Sequence, residues 1–436
     1  MPDQTKPGPG SSWLEEGHRH IWMPYTQMQT APAPLPVTAT QGTRITLADG
    51  RELIDGVASW WSACHGYNHP HIRDAVERQI KQMPHVMLAG LANEPAFTLA
   101  SRLAALAPGS LAQGKLERVF FSESGSVSVE IAMKMAAQYW LNKGQAARTK
   151  FICFDNAYHG DSIATMAAGD PEDGIHGRFS GLMPGQPRIG LPRDEESKAR
   201  FEAFIAEHAL DCAAVILEPL VQGAGGMIFH DADTLKAVRE TCDEHGLLLI
   251  LDEIMTGLGR LGSMFACEQA GIAPDIMTLS KSLTGGTMPL AATIASGQVF
   301  DAFLGDDLDL ALMHGPTFTG NALACAAANA SLDLFESEPR LNQVAAIEKH
   351  LRPALEPCRG VEGRWGKVCD VRVKGAIGVV EMQRIDDMNA LRARFVEEGC
   401  WIRPFGNIVY LMPAFTIGED DLSKLTETIV NVIGEA

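Results

Sequence analysis

The sequence predicts an α/β protein, with a large, doubly wound, mostly parallel sheet and a smaller α+β domain built from both ends of the chain. Three observations lead there. Apolar runs of strand length alternate with helical patterns through the centre, as in βαβ units. The last hundred residues mix two helix patterns with two strands, and ITLADGRELID (45–55) reads as two short strands around Asp49-Gly50. Residues 1–17 are expected to be a flexible tail and 18–66 a segment joining the small domain. The large domain is expected to span 67–334 and the rest of the small domain 335–436.

Val119–Ser122 is the first central strand. In the helix after it, Val127, Ile131, Met135 and Tyr139 recur at spacing four, flanked by Ala132, Ala136 and Trp140, and Gly144 stops it. Strands follow at 151–154, 213–217, 247–251 and 275–280, with a helix from about Asp233 to His245 ended by Gly246. The C-terminal patterns predict helices near 342–357 and 387–399 and strands near 376–381 and 407–412.

Hydrophobic residues make up 46% and charged residues 21%, which excludes a mostly disordered chain. Lys and Arg total 36 against 54 Asp and Glu, and the net charge of −18 opposes a general nucleic-acid binder. No apolar run approaches membrane-helix length, and MPDQTKPGPGSSW lacks a signal-peptide core. The nine cysteines are scattered without a CxxC. That argues against a Cys-rich metal site and for reduced thiols in a cytoplasmic protein.

Ligands of doubly wound sheets bind at the carboxyl ends of the strands. Strand 213–217 runs into Glu218, strand 247–251 into Asp252-Glu253, and strand 275–280 into Lys281. Two acids and a lysine therefore face one crevice. SESGSVSVE opens the helix after the first strand, where Gly125 and Ser126 offer backbone N–H groups to an anion. Plain N-capping by Ser122 or Ser124 reads equally well there. GAGG (223–226) is a weaker Gly-rich turn. His314-Gly315-Pro316-Thr317-Phe318-Thr319-Gly320 is a second loop able to bring a hydroxyl to a phosphate. A phosphate cup, an acid and a lysine together match the needs of pyridoxal 5'-phosphate, with Tyr158-His159 placed to stack on its ring.

LDEIMTGLGRLG (251–262) and the SLTGGTMPL that follows Lys281 resemble the signatures of the class III, ω-type aminotransferases of pyridoxal-phosphate fold type I. The resemblance covers roughly residues 18–432. Leu258 and Leu261 depart from the Phe and Thr usual there. HIWMPYTQM, SWWSACHGYNHP, AYHGD, EPLVQGAGGM, HGPTFTGN and WIRPFGNIVYLMP resemble one subgroup. Its members aminate 8-amino-7-oxononanoate in biotin synthesis with S-adenosylmethionine as amino donor.

The resemblance implies that Lys281 binds the cofactor aldehyde and shuttles a proton, and that Asp252 pairs with the ring nitrogen. It implies that Tyr158 and Ile254 sandwich the ring, with His159 and Glu218 beside it, and that Gly125 and Ser126 hold the phosphate. Pro316 and Thr317 would reach the phosphate of a neighbouring subunit, which implies a homodimer with shared sites. Tyr25, Trp60, Trp61 and Gly315 would line the substrate pocket, Trp60 being its main wall, and Arg403 would clamp the substrate carboxylate. Glu218 and Arg260 either orient these groups or form a structural buried pair. Another ω-aminotransferase, lysine as donor, and a cofactor-binding sensor are the alternative functions. A sensor of that kind carries a DNA-binding segment, and no basic helix-turn-helix is visible.

Overall fold

The computed structural model describes residues 12–110, 114–170 and 175–435. Residues 1–11 of the expected tail lie outside the described residues; the rest of it is not continuous tail, since Ser12–His18 form a short helix.

The main sheet has eight strands in the order 109–110, 114–122, 291–296, 276–279, 248–252, 212–217, 150–154, 188–189. From 276–279 to 188–189 all neighbours are parallel. Strand Ala291–Ser296 runs antiparallel between Ile276–Leu279 and Gly114–Ser122. Cys212–Leu217, Leu248–Asp252 and Ile276–Leu279 are buried at every position, so both faces of the sheet are covered and the strands read as unbroken apolar runs.

Helix Gly125–Asn142 packs on this sheet against strands 276–279 and 291–296. The Ser124 side chain caps its start by accepting from Val127 N at 3.3 Å. Gly144, at φ +77°, closes its end by donating to the Leu141 carbonyl at 2.9 Å. Helix Ala232–His245 is stopped by Gly246 at φ +60°. Helix Ala322–Ser337 packs against Pro70–Gln82 and Glu94–Leu106.

A second sheet orders its strands 362–363, 366–374, 377–382, 408–411, all antiparallel. Helices Arg340–Leu355, Met388–Glu397 and Glu419–Ile433 accompany it. Its apolar cluster takes in Ile54 and Cys64 from the other end of the chain. The N-terminal strands 37–41, 44–47 and 52–55 join in through a parallel pairing of Glu52–Asp55 with Cys400–Trp401. This pairing brings the segment after Asp55 beside the segment after Trp401, and both run to the mouth of the main sheet.

Candidate active site

Strand 291–296 is antiparallel to both neighbours, so strand 114–122 points the same way as the parallel strands. The carboxyl ends of 114–122, 150–154, 212–217, 248–252 and 276–279 therefore share one edge. From this edge Gly125, Ser126, Tyr158, His159, Glu218, Asp252, Ile254 and Lys281 enclose a cavity of about 180 Å³.

Its polar groups are held by named bonds. His159 Nδ1 donates to Asp252 Oδ2 at 2.8 Å, while Ile254 N donates to Oδ1 at 3.1 Å. Glu218 accepts from Tyr158 N at 3.1 Å and Gly223 N at 2.8 Å, tying two loops together. Burial pushes its carboxyl up to about 7, against the pull of His159. Burial lowers the Lys281 ammonium, with Asp252, Glu218 and Asp161 opposing the shift. Lys281 sits at φ +40°, and its Nζ lies 4.9 Å from the centre of the Trp61 ring. The next turn needs Gly285 and Gly286: a Cβ would meet Ile72 Cδ1 at 2.6 Å at the first and the Ala63 backbone at 2.8 Å at the second.

A larger cavity of about 510 Å³ opens onto the same lysine. Tyr25, Trp60, Trp61, Tyr158 and Phe405 form aromatic walls, and Arg392 and Arg403 also line it. The Arg403 guanidinium stacks 4.6 Å over the Trp60 ring. The two tryptophans are placed by an unusual backbone. Ala58, Ser59, Trp60 and Trp61 all have positive φ, at 44°, 51°, 65° and 75°. Left-handed geometry costs a non-glycine residue about 1–2 kcal/mol, so a run of four needs strong local support.

The aminotransferase class-III family model matches residues 25–433. The chain belongs to the class-III aminotransferases. It is 40% identical to the adenosylmethionine-8-amino-7-oxononanoate aminotransferase of Buchnera aphidicola, over 96% of this chain and 97% of that protein. The crystal structure of the enzyme of that name from Methanocaldococcus jannaschii superposes with a TM-score of 0.90 at 32% identity, covering 97% of this chain and 98% of that one. An amine transaminase from an uncultivated Pseudomonas species, solved with pyridoxal phosphate bound, has a TM-score of 0.86 at 32% identity, covering 95% and 98%.

Class-III aminotransferases depend on pyridoxal phosphate, and the residues here fit it. The N–H groups of Gly125 and Ser126 lie in the first helical turn, where no intrahelical acceptor exists. A Cβ on Gly125 would sit 3.0 Å from Ile254 Cδ1, so a side chain there would press on this wall. Asp252 and Lys281 supply an acid and an amine within the one cavity.

Some predicted residues lie elsewhere. Gly315, Pro316 and Thr317 do not line either cavity of this chain; Thr317 is exposed, and its carbonyl accepts from His85 Nε2 at 3.1 Å. Arg260 does not pair with Glu218. It is fully buried, donates to the Pro413 carbonyl at 2.8 Å and stacks 4.5 Å over Phe415, so it ties the two parts of the fold together. Glu253 also turns away from the site and accepts from Thr256, Ala266 and Cys267. Trp61 lines both cavities, whereas Trp60 lines only the larger one.

Three residues were missed. Asp161 accepts from Tyr25 OH at 2.6 Å, Tyr158 OH at 3.0 Å and His176 Nε2 at 2.9 Å. His176 stacks on Tyr158 with ring centres 5.7 Å apart. Arg392 reaches the cavity from helix 388–397, donating to the Pro404 carbonyl at 2.8 Å, while its buried Nε has no partner among the described residues. Asp161 stood in the quoted AYHGD motif, three residues past Tyr158, which was the available signal.

Proposed function

We propose that this enzyme converts 8-amino-7-oxononanoate to 7,8-diaminononanoate in biotin synthesis, with S-adenosylmethionine as amino donor. The observation that carries the reading is the 510 Å³ cavity: its walls are aromatic, it opens on Lys281, and it holds two arginines. The names of the relatives support it. Aromatic faces suit a flat adenine, a sulfonium cation and a methylene chain alike, so one pocket can take both substrates in turn.

Bound pyridoxal phosphate supplies an aldehyde that condenses with amines and a ring that draws electrons from the adjacent carbon. The chain's residues do the rest. Lys281 would hold the cofactor's aldehyde through its amine, and its Nζ would serve to move a proton at the reacting carbon. Asp252 would keep the cofactor's ring nitrogen protonated, and His159 fixes the Asp252 carboxylate. Tyr158 and Ile254 would flank the cofactor ring, and Gly125 and Ser126 would hold the phosphate at the helix N-terminus. Tyr25 cannot offer its proton to a substrate amine while it donates to Asp161, so it serves as a wall and an acceptor.

Arg403 is assigned to the oxononanoate carboxylate, for which a planar guanidinium is well shaped. Arg403→Ala is expected to weaken the second half-reaction by about 2–4 kcal/mol, the cost of losing a charged partner, while touching the first much less. Stopped-flow spectra of each half-reaction measure the two effects separately. Equal losses in both would remove the selectivity for the oxononanoate, since S-adenosylmethionine also carries a carboxylate that Arg403 could hold; no loss in either would remove the carboxylate role. The donor is tested by adding S-adenosylmethionine and lysine separately to the holoenzyme. Only the true donor converts pyridoxal to pyridoxamine absorbance, and conversion by lysine alone would replace S-adenosylmethionine.

We also infer a cytoplasmic homodimer with shared sites, with 18–66 joining the small domain, 67–334 as the large domain and 335–436 as the rest of the small domain. The exposure of Gly315 and Thr317 in the 315–317 loop supports the dimer. So do Met87, Leu91, Phe97, Met313 and Phe318, which leave more than half of their surface exposed on or near the segments that touch it. Eight of the nine free cysteines are buried, which suits a reducing compartment. Sedimentation and activity followed in one sample are expected to show a dimer wherever there is turnover. A fully active monomer at nanomolar concentration would overturn the shared site.

A further inference from the structure

The left-handed run at Ala58–Trp61 aims two tryptophans at the substrate cavity, and nothing in its own sequence favours that backbone. Four non-glycine residues at positive φ persist only when their surroundings over-determine them. The surroundings converge on one side chain. Asp55 Oδ1 accepts from Val57 N at 2.8 Å. Its Oδ2 accepts from Ser59 N at 2.9 Å and from Tyr67 OH at 2.5 Å. The carboxyl is 2% exposed, and no cation pairs with it among the described residues. A buried acid without a counter-charge is costly, so it is kept for what its bonds hold in place.

Those bonds lead to the site. Val57 O accepts from Trp61 N at 2.8 Å, closing the turn that Asp55 opens. Trp61 Nε1 donates to Tyr410 OH at 3.0 Å, and its ring lies beside Lys281. Trp60 meets Tyr25 edge-on, with ring centres 5.9 Å apart, and carries the Arg403 guanidinium. Asp55 is also the register partner of Trp401, two residues before Arg403. One carboxylate thus governs both the aromatic wall and the surface on which Arg403 stacks.

We propose that Asp55, braced by Tyr67, is the positioning residue of the substrate wall, fixing the left-handed turn that aims Trp60 and Trp61 at an amine substrate bearing a carboxylate. The inference rests on reading the larger cavity as the substrate site. Asp55→Asn keeps the shape of the side chain but replaces the oxygen or oxygens that accept from Val57, Ser59 and Tyr67 with a group that cannot accept all three.

Two measurements on the holoenzyme test this. The first needs no substrate. The near-ultraviolet circular dichroism band contributed by Trp60, taken as the wild type minus Trp60→Phe, is expected to be lost in Asp55→Asn while the cofactor absorbance stays. The second is steady-state kinetics with 8-amino-7-oxononanoate. KM is expected to rise about tenfold in Asp55→Asn with a smaller change in kcat, as for lost binding rather than lost chemistry. It should rise no further in Asp55→Asn combined with Trp60→Ala than in the worse single variant, because residues acting as a unit are not additive. Tyr67→Phe, which removes one bond and leaves the carboxylate, is expected to give the same pattern at about threefold, and it carries the test if Asp55→Asn does not fold. An intact Trp60 band, an unchanged KM, or effects that add in the double variant would overturn the proposal. A wild type that ignores the oxononanoate while Asp55→Asn loses the band would sink the substrate reading and leave Asp55 as the brace of this turn.

Discussion

Lys281→Ala is expected to leave a folded protein that still binds the cofactor, with turnover lower by roughly 10²–10⁴-fold, the range a positioned acid–base group supplies. The argument starts from the backbone. Strand 276–279 delivers Lys281 to the sheet edge at φ +40°, and the Gly285-Gly286 turn behind it fits only without side chains. Burial then lowers the ammonium from its ordinary 10.5. A lowered pKa leaves more of the amine neutral at any given pH, and the neutral form is the one that attacks an aldehyde or takes a proton. The rate at which apo-enzyme recaptures the aldehyde should therefore reach half its maximum below pH 10.5. Borohydride reduction followed by peptide mass analysis should find the cofactor's mass on the peptide containing Lys281 and on no other. A label on a different lysine, or an alanine variant within roughly tenfold of wild-type turnover, would remove Lys281 from this role.

The parallel part of the fold was legible because burial on both faces writes unbroken apolar runs into the chain. Strands 212–217, 248–252 and 276–279 fall within a residue or two of their predicted bounds. Strand Ala291–Ser296 was not singled out. AATIAS is short and made mostly of small residues, and its place between 114–122 and 276–279 depends on pairings far apart in the chain. The helices at 70–82, 94–106 and 322–337 also went unread; the last is rich in alanine, and its periodicity is weak.

The site divides in the same way. Glu218, Asp252 and Lys281 were readable because each follows directly from an apolar strand, and the sheet rule does the rest. Glu253 shows where that rule stops: it is one residue beyond Asp252, and the pleat sends it to the opposite side, where it caps a turn. Arg260 followed the family signature in sequence but packs against Pro413 and Phe415, because a contact between residues over a hundred positions apart leaves no local trace. His176 and Arg392 were invisible for that reason too. The left-handed turn at 58–61 was hidden more deeply, since Ala-Ser-Trp-Trp contains none of the glycines or asparagines that normally announce positive φ.

Asp252→Asn is expected to lower kcat by about 10²–10³-fold, as loss of one preorganised electrostatic contact does, with a much smaller loss of cofactor affinity. The substitution keeps the shape at the end of strand 248–252, where Ile254 N and His159 Nδ1 hold the carboxylate at 3.1 and 2.8 Å. What it removes is the negative charge proposed to keep a proton on the bound cofactor's ring nitrogen. That charge matters most where electron density flowing into the ring is greatest, near the transition state, so its loss falls on kcat more than on binding. Both half-reactions draw on the same ring, so their single-turnover rates should fall by similar factors, whereas Arg403→Ala separates them. Rapid-mixing spectra with donor and acceptor in turn, and cofactor dissociation followed by absorbance, check each part. A kcat loss of about tenfold or less, or a loss confined to one half-reaction, would leave Asp252 as a structural partner of His159 and no more.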